Sequence, residues 1–192
     1  MRKLIFILLP AIVTLGLAGC HSLNPSERLL AGKWYGNIQE EVVTQTEEST
    51  TSLTGESTTQ YNKDKTSETQ INMRYTIHTS EVQETIALAV SLKGTWAIKD
   101  KTLEETCNYA DVQIKSIDIQ GYDTTDATEL ENVKASEKQR IYYDFVIPLK
   151  NNLLKSSSDR IKQLNENQLV TIDADGRITE FKRIATEEAD NK

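Results

Sequence analysis

The residues able to do chemistry are few, and their spacing restricts what they could do. The chain has two cysteines, Cys20 and Cys107, and two histidines, His21 and His78. Zinc takes several His, Cys or carboxylate ligands, and an activated nucleophile takes a neighbouring base. Neither histidine has a partner at such a spacing: His21 adjoins Cys20, and His78 lies near the end of a strand-like stretch. Glu40-Glu41, Glu47-Glu48 and Glu104-Glu105 are adjacent pairs. On strands, adjacent side chains point to opposite faces, so these pairs form no acid–base dyad and read as solvated. Glycines are too sparse for a phosphate-cradling loop. With no catalytic residue, no metal-ligand set and no cofactor motif, the expectation is a protein that is not an enzyme.

Cys20 is set apart by what precedes it. Met1-Arg2-Lys3 is a basic start, and residues 4–18 (LIFILLPAIVTLGLA) carry no charge. That run is shorter than the about 20 apolar residues that span a bilayer, and it fits the apolar segment of a secretory signal. Leu17-Ala18-Gly19 then leads directly into Cys20, which resembles the lipobox of bacterial lipoproteins. The resemblance implies that residues 1–19 are a signal peptide cleaved before Cys20. The Cys20 thiol is then acylated, and membrane lipid becomes the first partner of the protein. Two or more acyl chains anchor stably, because each buried methylene contributes about 0.8 kcal/mol. His21, rather than Asp, follows the cysteine, which implies the cell envelope at the outer membrane. Residues 20–30, containing Pro25, then read as a lipidated tether.

Taking residues 1–19 from 192 leaves 173, the size of one domain. Of the 22 Lys and Arg, Arg2 and Lys3 are lost, so 20 remain against 29 Asp and Glu, a net charge of −9. Such an acidic chain is excluded as a nucleic-acid binder, which requires clustered Lys and Arg. Anionic lipid would repel it, so the acyl chains must hold it at the membrane. Cys107 would be the single remaining cysteine, which excludes an internal disulfide. It reads as a small buried hydrophobe.

Residues 31–185 read as the folded domain and 186–192 as a polar tail. Residues 33–43 (KWYGNIQEEVV) open it as a strand. Residues 44–66, rich in Thr, Ser and Glu, have almost nothing to bury, and the expectation is a mobile hairpin extension or long loop. Residues 67–79 return as a strand, with Ile71, Met73, Tyr75 and Ile77 alternating. In 82–98, Val82, Ile86, Leu88, Val90, Leu92, Trp96 and Ile98 all fall on even positions, and the parity survives Gly94. One long strand bent at that glycine accounts for the pattern. Lys99-Asp100-Lys101 is a turn. Two further strands follow, one through Leu103, Cys107 and Tyr109 and one through Val112, Ile114 and Ile117.

Residues 126–155 change period. Asp126 with Glu129, and Ser136 with Gln139, have capping-box spacing. Ile141, Phe145, Leu149 and Leu153 recur every four residues as on one helical face, and Pro148 predicts a kink or break. Residues 158–184 read as three short strands, with turns at Asn165-Glu166-Asn167 and at Asp175-Gly176. The sum is a mainly β chain, an antiparallel meander of about eight strands closing into a barrel, with a helical insertion before the last three.

Gly32-Lys33-Trp34, at the start of the first strand, resembles the Gly-x-Trp signature of lipocalins and lipocalin-like bacterial lipoproteins. The resemblance implies a barrel whose closed end is plugged by Trp34, with Arg183 of the last strand packed across the indole. If Asp175-Gly176 is a two-residue turn, Val170 faces Phe181 and Gln168 faces Arg183. The helix precedes the last three strands here, whereas the lipocalin helix usually follows the final barrel strand. Two functions of different classes follow. In the first, the barrel binds or carries a small apolar ligand, with Ile86, Leu88, Val90, Leu92 and Trp96 lining the space. In the second, a filled barrel serves a protein partner in an envelope complex.

Overall fold

The protein was analysed as a computed structural model, in which residues 23–45, 49–121 and 126–185 are described. The signal-like run, Cys20 and the 186–192 tail lie outside them. In chain order the elements are α1 (Pro25–Leu30), β1 (Gly32–Gln45), β2 (Ser49–Tyr61), β3 (Thr66–Thr79), β4 (Gln83–Lys99) and β5 (Thr102–Gln120). There follow α2 (Ala127–Ile141), a π-helical turn (Tyr142–Val146), α3 (Ile147–Leu153), β6 (Ser156–Leu164), β7 (Gln168–Ile172) and β8 (Ile178–Ile184). The eight strands form a closed antiparallel barrel in sequence order, with the helical insertion before the last three.

The strands lie where the sequence pattern places them, with two exceptions. Residues 49–61, expected within a mobile hairpin extension or long loop over 44–66, form the regular strand β2, paired with β3 from Ser49↔Thr79 to Tyr61↔Ser67. Its inward positions include Ser57 and Thr59 rather than aliphatics, so no hydrophobic pattern marks it. The β-branched Thr50, Thr51, Thr54, Thr58 and Thr59 suit extended backbone, and neighbours on both sides complete its hydrogen bonds. The two strands expected in 102–120 are one, β5. Its pairing with β4 skips one residue between Cys107 and Tyr109 and another between Ile114 and Ser116. Each bulge shifts which parity faces inward, which is how one strand imitated two. Opposite the first bulge, a Cβ on Gly94 would sit 2.2 Å from the Thr106 carbonyl oxygen, so only glycine permits that backbone approach.

Turns and caps follow local chemistry. Asp100 and Lys101 take positive φ, 48° and 64°, as a two-residue hairpin requires. The Asp126 side chain caps α2, accepting from the Thr128 and Glu129 backbone N–H groups at 2.8 and 3.4 Å. Pro148, expected to kink or break the helix, stands in the first turn of α3. The preceding turn widens instead, with the Ile147 N–H bonding the Tyr142 carbonyl. Between β7 and β8 the register differs from the expected one. The loop is 173–177, closed by the Asp173 carboxylate accepting from the Asp175 and Arg177 N–H groups, both at 2.9 Å. Leu169, not Val170, therefore faces Phe181, and Lys182, not Arg183, faces Gln168.

The expected tether over 20–30 is also shorter than its sequence suggested. Asn24 and Glu27 form a reciprocal capping box, each side chain bonding the other's backbone N–H at 2.9 Å. The α1 helix that follows buries Leu30 completely and is part of the fold.

The barrel closes where β1 meets β8, with Trp34 directly opposite Arg183. Trp34 is fully buried, and the Arg183 guanidinium lies 4.2 Å from the centroid of its ring. Arg183 also donates to three backbone carbonyls: Ala31 at 3.0 Å, Glu166 at 2.6 Å, and Leu29. The indole N–H donates to the Leu30 carbonyl at 2.7 Å. Gly32 has φ +139°, and a Cβ there would meet the guanidinium at 2.1 Å. Trp34→Ala should cost about 3–5 kcal/mol, as for other buried large aromatics. A double-mutant cycle with Arg183→Ala, read by urea unfolding, should give a coupling of about 0.5 kcal/mol or more. Additive effects would mean that the stack does not hold the closure.

Candidate functional site: a cavity between two cores

The barrel interior is packed at both ends and open in between. At the closed end, Leu30, Trp34, Tyr61, Trp96, Leu103 and Leu169 form one buried cluster. At the other end, Met73, Ile86, Leu88, Val90 and Val112 pack against Ile141 and Val146 of the helical insertion, with Phe145, Leu149 and Leu153 alongside. The four-residue periodicity thus marks the helix face that fills the barrel. Ring closure extends over only part of the barrel: β8 pairs with β1 over Lys33–Gly36, and β6 pairs with β5 over Thr102–Thr106. Beyond these ladders β1–β5 run on as a sheet, and the insertion packs on its inward face.

A cavity of about 430 Å³ lies between the two clusters, bordered by Tyr61 and Phe181 of the first and by Ile71, Leu92 and Leu153 of the second. Its origin is the small size of the inward side chains next to Trp34. Gly36, Ser57, Thr59, Ser67, Thr69 and Gly94 all line it, and none can reach across the barrel. The Thr59 and Thr69 hydroxyls bond each other at 3.0 Å. Apolar walls with hydroxyls among them make the space amphipathic.

Of the five residues expected to line a ligand space, Leu92 alone borders this cavity. Ile86, Leu88 and Val90 are 2, 2 and 0% exposed beneath the helical insertion. Trp96 belongs to the closed end. Its indole N–H donates to the Thr66 and Asn62 carbonyls at 3.0 and 3.2 Å. Tyr61 packs edge-on against it, and the Lys65 ammonium lies 4.8 Å from its ring centroid. Gly94-Thr95-Trp96 therefore repeats the physics of the Trp34 site, an indole held by backbone acceptors under a cation. Trp34 and Arg183 meet as the resemblance implied.

Glu105 was expected to be a solvated residue of an adjacent pair, and the structure separates the two. Glu104 turns outward to Lys99 at 2.5 Å, whereas Glu105 lines the cavity. The Tyr61 hydroxyl donates to its Oε1 at 3.1 Å. Burial pushes the Glu105 carboxyl above the usual range, the Tyr61 hydrogen bond pulls it back, and nearby Asp159 pushes it up again. Burial, with Glu105 beside it, holds the Tyr61 phenol well above its ordinary value. Asp159 is itself raised by burial and by Asp173. A signal for the inward Glu105 existed in the sequence: a two-residue turn at Asp100-Lys101 places Glu105 opposite Trp96, and so on the indole's face.

Cys107 also lines the cavity, partly buried, its thiol donating to the Tyr109 carbonyl at 3.1 Å. Among the described residues no group of three His, Cys, Asp or Glu is placed to hold a metal ion. No protein-family model matches the chain, and no curated protein matches it.

A carboxyl whose folded pKa lies above its unfolded one opposes folding while ionised and adds stability as pH falls through the folded value. Glu105→Gln should therefore raise the urea midpoint of ligand-free protein at neutral pH. The advantage over wild type should shrink as pH drops through the raised Glu105 range and vanish below the ordinary carboxylate range. A difference independent of pH would contradict an ionisable Glu105 whose carboxyl is raised in the folded state.

Proposed function

We propose that this chain is a lipid-anchored bacterial envelope protein whose lipocalin-like barrel binds one small molecule in its interior. The cavity between the aromatic floor and the helical cover carries this reading. Its volume, about 430 Å³, falls in the range of about 300–1,000 Å³ typical of small-molecule sites. The lining revises the ligand from purely apolar to amphipathic, since Ser57, Thr59, Ser67, Thr69 and Glu105 all border it. Exposed Asn152, Lys155, Ser156 and Thr179 at the rim mark where the space reaches solvent.

The anchor in this reading is Cys20, supported by the uncharged run and by Leu17-Ala18-Gly19 before it. The fold begins by Asn24, four residues on, so the closed end would stand within about 14 Å of the lipid even with that link extended. The second reading, a docking module for an envelope protein, is favoured by one observation. Tyr142 and Tyr143 on the π-helical turn are 48 and 59% exposed and stacked edge-to-face, an aromatic pair with no core role.

Native mass spectrometry of protein purified from its own envelope separates the two readings. A co-purified small molecule lost on denaturation supports the carrier. A bare chain, with a protein partner released by Tyr143→Ala, supports docking. For the anchor, Cys20→Ala should abolish incorporation of a labelled fatty acid, and normal labelling would remove the lipoprotein reading.

A further inference from the structure

Glu105 presents an unusual charge problem. Its carboxyl borders the cavity and receives one hydrogen bond, from Tyr61 to Oε1. Among the described residues Oε2 has no hydrogen-bond partner, and no cation pairs with Glu105. The candidate cations are engaged elsewhere. Lys65 pairs with Glu27, Lys99 with Glu104, and Arg183 is committed to Trp34 and its carbonyls. The two lysines at the cavity rim are held by others, Lys93 by Glu68 at 3.2 Å and Lys155 by the Asn152 side chain at 2.7 Å. Asp159, opposite Leu103 on the adjoining strand, adds a second acidic group close to Glu105. The carboxyl is partly exposed to the cavity, and an acidic group in such a recess attracts a counter-charge that hydroxyls alone do not supply.

We propose that Glu105 makes the cavity selective for a ligand with a cationic, hydrogen-bond-donating head, an ammonium group on a short apolar body. The inference rests on the reading that the cavity holds a ligand. An ammonium brings the missing charge and three donors. One donor meets Glu105 Oε2. Ser157, directly across the ladder from Glu105 and on the cavity wall, supplies a hydroxyl acceptor beside it. The hydrocarbon body then lies against Ile71, Leu92, Leu153 and Phe181. A carboxylate or phosphate head would meet Glu105 and Asp159 as like charges and be rejected.

The test uses three probes of one chain length, n-octylamine, n-octanol and octanoate, titrated calorimetrically into the mature chain at neutral pH. Wild type should bind octylamine at least about tenfold tighter than octanol, the size of one charge-assisted hydrogen bond, with octanoate weakest. Glu105→Gln should abolish the preference for the amine, so that octylamine then binds no tighter than octanol. In nuclear magnetic resonance spectra of wild type, octylamine should shift the Tyr61 and Ser157 signals, a readout independent of whether the variant folds. Equal binding of amine and alcohol, or a preference for octanoate, would overturn the head-group proposal and leave the cavity reading standing. Binding of none of the three would overturn both.

Discussion

A guanidinium partly withdrawn from water must find acceptors, and that requirement at Arg183 ties this barrel together. Burial alone lowers the affinity of Arg183 for its proton. The indole face of Trp34 and three backbone carbonyls, from Leu29, Ala31 and Glu166, compensate it. Those partners belong to α1, to the junction before β1, and to the β6–β7 turn. One side chain thus fastens the last strand to the first strand, to the N-terminal helix and to a neighbouring hairpin. The close approach explains Gly32, whose missing side chain is the space the guanidinium occupies.

The cavity follows from how the two ends are sealed. Aromatic side chains fill the closed end, and the helical insertion fills the other with Ile141, Phe145 and Val146. The rungs between carry glycine, serine and threonine, so neither plug extends into them. Here β2, the least hydrophobic strand, has a structural purpose: its Ser57 and Thr59 leave room while its backbone completes the ladders on both sides. The widened turn before Pro148 keeps the helix face continuous over this space. It accommodates a residue that lacks the N–H for an ordinary helical bond and whose ring crowds the preceding turn.

Charge is partitioned as strictly as volume. Lys93, Lys99 and Lys65 pair with carboxylates at the surface or the closed end, and Arg140 pairs with Glu84 beside the helical insertion, while among the described residues no cation pairs with Glu105 or Asp159. Apart from Glu105 and the rim lysines Lys93 and Lys155, the residues lining the cavity are neutral or apolar, so Glu105 sets its acidic character. It gives the cavity a polarity that its volume alone would not specify.

Local chemistry written in the sequence determined much of this protein. Alternation in 67–79 and 82–98, the Asp126 cap, the turn at Asp100-Lys101 and the helix face from Ile141 to Leu153 each depend on neighbours a few residues away. The resemblance to lipocalins pointed to Trp34 and Arg183, and closing a meander brings their two strands together. Four features needed the folded chain: strand β2, the continuity of β5, the β7–β8 register and the inward turn of Glu105. A polar strand is held by its partners' hydrogen bonds, which its own side chains do not announce. A bulge or a one-residue change in loop length exchanges the two faces of a strand, so parity is local but facing is not. Ile86, Leu88 and Val90 were correctly inward. Whether inward meant core or cavity depended on a helix more than thirty residues further along the chain, and only tertiary packing decided that.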